Sequence, residues 1–178
     1  MEAEYKRNGC PAIRQVMFPR HTNPDGDIWG GVLLGCMDTA AAVAARRVCS
    51  HRMVTVFFNK TEFKKHVEVG DILTCWAEVT AIGNTSINIH IWVDVERKGQ
   101  IIEATEGDAV FVAIDANRKP ISVASGLIDE SWRDKIGKKP QVKTTEPEQC
   151  STCSSCQGAS TRKKTAKKSK KKKKAKKN

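Results

Sequence analysis

From Ser86 to Glu96 apolar and polar residues alternate without a break. Ile87, Ile89, Ile91, Val93 and Val95 fall on one face. Ser86, Asn88, His90, Trp92, Asp94 and Glu96 fall on the other. A period of two predicts a strand buried on one side. Apolar and β-branched runs at Ala12–Phe18, Met53–Asn59, Asp71–Ala81 and Ile101–Ile114 predict four more strands. Turn chemistry joins the last three: Val69-Gly70-Asp71 precedes the first of them, and Gly83-Asn84 and Arg97-Lys98-Gly99-Gln100 make two hairpins.

Between residues 30 and 49 the pattern changes. Val32, Leu33, Leu34, Cys36, Met37, the run Ala40-Ala41-Ala42-Val43-Ala44-Ala45 and Val48 predict a helix opened by Gly30-Gly31. It is apolar almost all round until Arg46-Arg47, so it is expected to be buried. Pro and Gly punctuate the stretch from Pro19 to Asp27, which reads as turns. A short helix is expected at about Asp129–Ile136. The order is strand, long helix, then four consecutive antiparallel strands. This predicts an α+β domain in which one sheet wraps one helix. One sheet face cannot cover so apolar a helix, so a second copy of the chain is expected over part of it.

Charge divides the 178-residue chain in two. The net charge is +11, yet residues 1–140 hold 18 basic and 18 acidic side chains. Residues 141–178 hold 13 basic and 2 acidic ones, so the whole excess lies there. A uniformly basic nucleic-acid-binding domain is thereby excluded. The expected division is an N-terminal extension at 1–11, a domain at 12–137, and a Cys-containing linker with a polybasic tail at 138–178. Composition predicts disorder in that last segment, which offers little apolar surface against the entropy of ordering. No apolar run follows the charged N-terminus, and none approaches the length of a membrane span. Cys10, Cys36, Cys49 and Cys75 are scattered singly among apolar neighbours. That usage suits a reducing, cytoplasmic setting.

Within the domain, Asp38 stands out. It lies mid-helix between Met37 and Thr39. A carboxylate in an apolar setting is costly unless paired, which makes Asp38 a candidate general base or nucleophile. The structural alternative is a carboxylate that only fixes packing. Gly30-Gly31 is the second candidate. A helix start offers unpaired N–H groups, and glycine lets a ligand approach them to stabilise an oxyanion. Gly31 and Asp38 are seven residues apart, on one helix face but about 10 Å apart along the axis. One carbonyl cannot meet both from a single helix, so a site built from both requires two subunits. Asn23, in the turn before the helix, is the third candidate and is able to orient a water or a carbonyl. His21, His51, His66 and His90 form no metal-binding or Ser-His spacing. No metal or other cofactor is expected.

The run from Asn23-Pro24-Asp25-Gly26-Asp27 through Trp29-Gly30-Gly31 to Gly35-Cys36-Met37-Asp38 resembles the signature of hotdog-fold acyl-CoA thioesterases, in the branch of bacterial YciA and the animal cytosolic acyl-CoA hydrolases. Arg52-Met53-Val54-Thr55-Val56, Phe63 with Val67-Glu68-Val69-Gly70-Asp71, Gly83-Asn84-Thr85-Ser86 and Ala104-Thr105-Glu106 match in order. The resemblance covers about residues 12–125. It implies a long helix wrapped by an antiparallel sheet, homodimers joined through their sheets, and often homohexamers built as trimers of dimers. It implies hydrolysis of acyl-CoA to a free acid and CoA, with CoA belonging to substrate and product. By position, Asp38 and Asn23 match catalytic residues, Gly31 matches the backbone donor beside Gly30, and Thr85 and Ser86 match residues near the CoA chain. Lys65 falls where an Arg is frequent, a place where a cation can meet a CoA phosphate. His66 and Lys64 depart from the pattern, which has Pro and an apolar residue there.

Two other functions compete. One is a non-catalytic acyl-CoA-binding module with a nucleic-acid- or membrane-associating tail; Asp38 with Asn23 argues against it. The other is a hydratase or dehydratase, whose chemistry wants a His that the helix lacks. In the tail, Cys150, Cys153 and Cys156 are one ligand short of a closed zinc site. Residues 162–177 carry 12 Lys and Arg with no aromatic. Such a polycation supports salt-dependent, non-specific contact with polyanions.

Overall fold

The structure, a computed structural model, describes residues 11–138. Strand β1 is Ile13–Val16, helix α1 is Gly30–Val48, and strands β2 to β5 are Arg52–Phe63, Ile72–Ile82, Ser86–Arg97 and Gln100–Ile114. All pairings are antiparallel, in the order β1-β3-β4-β5-β2. β1 is shorter than the sequence pattern predicts, because Pro19 opens a 3-10 turn at Pro19–His21. The expected short helix is a 3-10 turn at Glu130–Lys135, started by the Asp129 carboxylate accepting from Ser131 N. In the β4–β5 hairpin Lys98 (φ 50°) and Gly99 (φ 75°) are both left-handed, as a two-residue turn matched to strand twist requires.

β2 runs four residues past its expected end. Its register shifts twice, between Thr55 and Phe57 and between Asn59 and Glu62. Each bulge inserts an extra residue and moves the following side chains to the other face. The alternation that reveals a strand is therefore interrupted at the polar run Lys60-Thr61-Glu62.

The inner face of β4 is as the alternation predicts: Ile87, Ile89, Ile91, Val93 and Val95 are fully buried. Each such side chain contributes about 1.5–3 kcal/mol. Against them lies one face of α1: Leu33, Cys36, Met37, Ala40, Ala41, Ala44, Ala45 and Val48. Their i, i+3, i+4 spacing defines a single stripe. The cover expected from a second copy of the chain falls on the sides of α1 that this sheet leaves open. Within one chain Gly31, Gly35 and Thr39 are exposed, and Asp38 beside them is half-buried. No helix among the described residues is long and apolar enough to cross a membrane. The N-terminal extension up to residue 10 and the tail from residue 139 lie outside the described residues, as do Cys10 and the Cys150/Cys153/Cys156 cluster.

Candidate active site

A cleft of ≈ 370 Å³ opens at the start of α1. Ile28, Gly30, Leu33, Phe63 and Val67 supply its apolar wall, with Asn23, Lys64, Lys65 and His66 among its polar groups. Local chemistry builds each part. Trp29 caps α1 without a side-chain hydrogen bond, so no capping side chain occupies the N–H groups of the first turn. A Cβ added at Gly31 would meet nothing within 4 Å, so its backbone is open to approach. At Gly30 the same atom would lie 3.4 Å from the Phe63 ring, which packs over the helix start.

Asn23 holds its own loop. Its Oδ1 accepts from Asp25 N and Asp27 N, both at 3.0 Å. This commits the oxygen and leaves the amide N–H groups as the free function. The neighbouring wall is tied to the same loop by Ile28 N donating to Val67 O at 2.9 Å. It is braced from behind by Arg97, whose guanidinium meets the Asp71 carboxylate at 2.7 and 2.9 Å, Glu68 at 2.6 Å and the His66 carbonyl at 3.1 Å. Burial opposes ionisation of Asp71, but the Arg97 hydrogen bonds and the Glu68 N–H prevail and hold its carboxyl below the ordinary range.

The cations of the wall differ in use. Lys64 is clamped between Glu103 and Glu106; partial burial opposes its charge, and the two carboxylates outweigh it, so its pKa is raised. Lys65 is exposed and makes no ion pair among the described residues. His66 Nε2 lies 2.9 Å from Glu68 Oε1. Lys64 and His66, the two departures from the family pattern, thus have partners of their own.

Asp38 stands apart from this cleft. Thr55 Oγ1 donates to its Oδ1 at 2.5 Å. Thr55 faces Phe111 across β2–β5, and Phe111 faces Ile87 across β5–β4. Asp38 therefore lies toward the end of the sheet where Thr85 leads into β4 at Ser86. Phe63 faces Thr105, and Thr105 faces Val93. Ser86 and Val93 are seven residues apart, roughly 23 Å along the strand. One chain thus brings together Asn23, Gly30, Gly31 and Lys65 at one end, and Asp38, Thr85 and Ser86 toward the other. Sequence reasoning did not single out Thr55. It lies inside the matching run Arg52–Val56 as a hydroxyl between Val54 and Val56, but nothing in spacing ties residue 55 to residue 38.

Cys36, Cys49 and Cys75 are free and buried. Burial pushes the Cys36 and Cys75 thiols up. Among the described residues no group of three or more His, Cys, Asp or Glu is placed to hold a metal ion.

Comparisons with known proteins agree with this architecture. The sequence profile of the thioesterase superfamily matches residues 25–102. The acyl-CoA thioester hydrolase YciA of Escherichia coli is 39% identical over 117 residues, covering 63% of this chain and 89% of that protein. Among solved structures, a hexameric thioesterase from Yersinia pestis is 37% identical with a TM-score of 0.64, covering 70% of this chain and 100% of that one. An acyl-CoA hydrolase from Staphylococcus aureus, solved with butyryl coenzyme A and coenzyme A, is 27% identical with a TM-score of 0.59 over 62% and 69% of the two chains. A single long helix on a five-stranded antiparallel sheet, with these likenesses, places the chain in the family of hotdog-fold acyl-CoA thioester hydrolases, to which it belongs.

Proposed function

We propose that this acyl-CoA thioesterase cleaves its substrate at sites completed by two copies of the chain. The observation that carries the reading is the division of the candidate residues between two ends of one protomer. A two-fold dimer that sets the Asn23 end of one copy against the Asp38 end of the other makes two complete sites.

At such a site Thr55 occupies Asp38 Oδ1, and Oδ2 is left to take a proton from water. The water oxygen adds to the thioester carbonyl carbon. The N–H of Gly31, at the positive end of α1, receives the developing oxyanion. The Asn23 amide, with its oxygen committed to the loop, donates to the same carbonyl or to the water. The tetrahedral carbon then expels CoA sulfur as the C–S bond breaks, and the proton held by Asp38 passes to that sulfur. The products are a free acid and CoA, and these steps use no group beyond the substrate, water and the chain. Lys65 offers its charge to a CoA phosphate, and Thr85 and Ser86 flank the CoA arm.

Support comes from the S. aureus hydrolase. It was solved with alanine in place of one asparagine and, separately, of one aspartate fifteen positions further on. Asn23 and Asp38 are fifteen positions apart here. Hexamers occur among the solved neighbours, and a homohexamer of three dimers is the assembly we assign to this chain. A cytoplasmic setting fits three unbridged thiols. The hotdog domain spans 12–137, and the Lys-rich tail adds only salt-dependent contact with polyanions.

The test is turnover of a panel of acyl-CoA esters with thiol detection. Asp38→Asn is expected to lose nearly all turnover while its circular dichroism and melting temperature stay close to wild type. Retained turnover would refute the role of Asp38.

A further inference from the structure

Among the described residues, Thr105 is a buried polar side chain behind the cleft wall that the proposed chemistry leaves idle. It is 0% exposed, and its Oγ1 is buried with no hydrogen-bond partner among the described residues. A buried hydroxyl without a partner costs about 1–3 kcal/mol. Valine has the same shape without that cost, so packing alone does not account for a threonine here.

Its direction follows from the strand. Thr105 shares a face of β5 with Gly107. A Cβ at Gly107 would lie 3.1 Å from Met37 Cε, so that face looks toward α1. Across the sheet Thr105 is the register partner of Val93 in β4, fully buried, and of Phe63 in β2, half exposed. Phe63 is the side chain that packs over Gly30. The idle hydroxyl thus sits beside the apolar wall of the cleft, on the side of the uncapped first turn of α1. Two independent features meet there: open backbone donors and a buried hydroxyl without an acceptor.

We propose that Thr105 is a substrate-contacting residue, whose hydroxyl donates a hydrogen bond to a carbonyl oxygen of acyl-CoA once the Phe63 ring turns aside. The acceptor is an amide-type or thioester carbonyl, of which acyl-CoA carries both. The inference rests on the thioesterase reading and adds a donor to it.

The experiment compares wild type, Thr105→Val and Thr105→Ser in the full-length chain. It measures kcat, KM, inhibition by product CoA and the melting temperature. The Val variant is expected to keep or raise its melting temperature while kcat/KM falls about fivefold, the worth of one hydrogen bond. The Ser variant, which keeps the hydroxyl, is expected to stay within about twofold of wild type. If the acceptor is a pantetheine amide, KM rises and CoA inhibits the Val variant more weakly by the same factor. If it is the thioester, kcat falls and inhibition by CoA is unchanged, since CoA has no thioester. Unchanged kinetics in the Val variant would overturn the proposal and assign the hydroxyl to packing or to a bound water. Should the Val variant not fold, Thr105→Ala against Thr105→Ser decides on the same readouts. A wild type without turnover would sink the thioesterase reading itself, which separates the two failures.

Discussion

The hydrogen bond from Thr55 to Asp38 defines what the carboxylate is able to do. A hydroxyl on one oxygen fixes the plane of the group and leaves the other oxygen for the proposed proton transfer. Thr55→Val is therefore expected to reduce kcat about tenfold, with KM nearly unchanged, because one hydrogen bond to a charged group is lost and the shape is kept. Steady-state kinetics at saturating acyl-CoA checks this; an equal rise in KM with kcat intact would assign Thr55 to ground-state binding instead. At this scale much of the candidate site stands out in the sequence. Asp38 is conspicuous because charge inside an apolar helix needs a reason. Gly31 is conspicuous because its backbone is bare. Thr55 was not legible, since the contact spans 17 residues of sequence and depends on the position of a bulged strand. The commitment of the Asn23 oxygen to two loop N–H groups is equally a product of three dimensions.

Among the elements, β4 was fully announced by its alternation, and the helix start by its glycines. β2 was half announced, because its two bulges break the alternation that would have revealed the rest. The wall formed by the segment from Lys64 to Gly70 is irregular, and ion pairs hold it in place of a strand ladder. Its pH response follows from Asp71. The folded-state carboxyl titrates below its ordinary value of 3.8, so its stabilisation is complete above that value and is lost as pH falls through the depressed one. The melting temperature of the wild type is expected to drop on acidification below about pH 4. Asp71→Asn should cost about 2–3 kcal/mol at neutral pH and show a shallower acid loss. Thermal melts between pH 7 and pH 3 measure both. Parallel curves for the two proteins would show that Asp71 is not the group that titrates.

For the whole molecule, the charge asymmetry and the divided site have separate consequences. The body is electrically balanced and the excess of +11 lies beyond it. Removal of residues 141–178 is expected to leave kcat and KM on acyl-CoA unchanged and to abolish salt-sensitive retention on a polyanionic resin. A truncated protein inactive at low salt would assign the tail to substrate capture. The sheet wrapped on one helix was legible from the order of elements. That the sheet leaves part of the helix open to a second copy was legible too, but which residues lie on the open side was not, because small apolar residues suit either environment.

The division of the site across two copies is tested most directly by complementation. Asp38→Asn and Asn23→Ala chains, each inactive alone, are dissociated, mixed in equal amounts and reassembled, and turnover is followed by thiol release. In a mixed dimer one site carries both substitutions and the other carries neither, so random pairing should restore about a quarter of the wild-type sites. Activity that stays at the level of the two variants measured separately would place the whole site within one chain and contradict the shared arrangement.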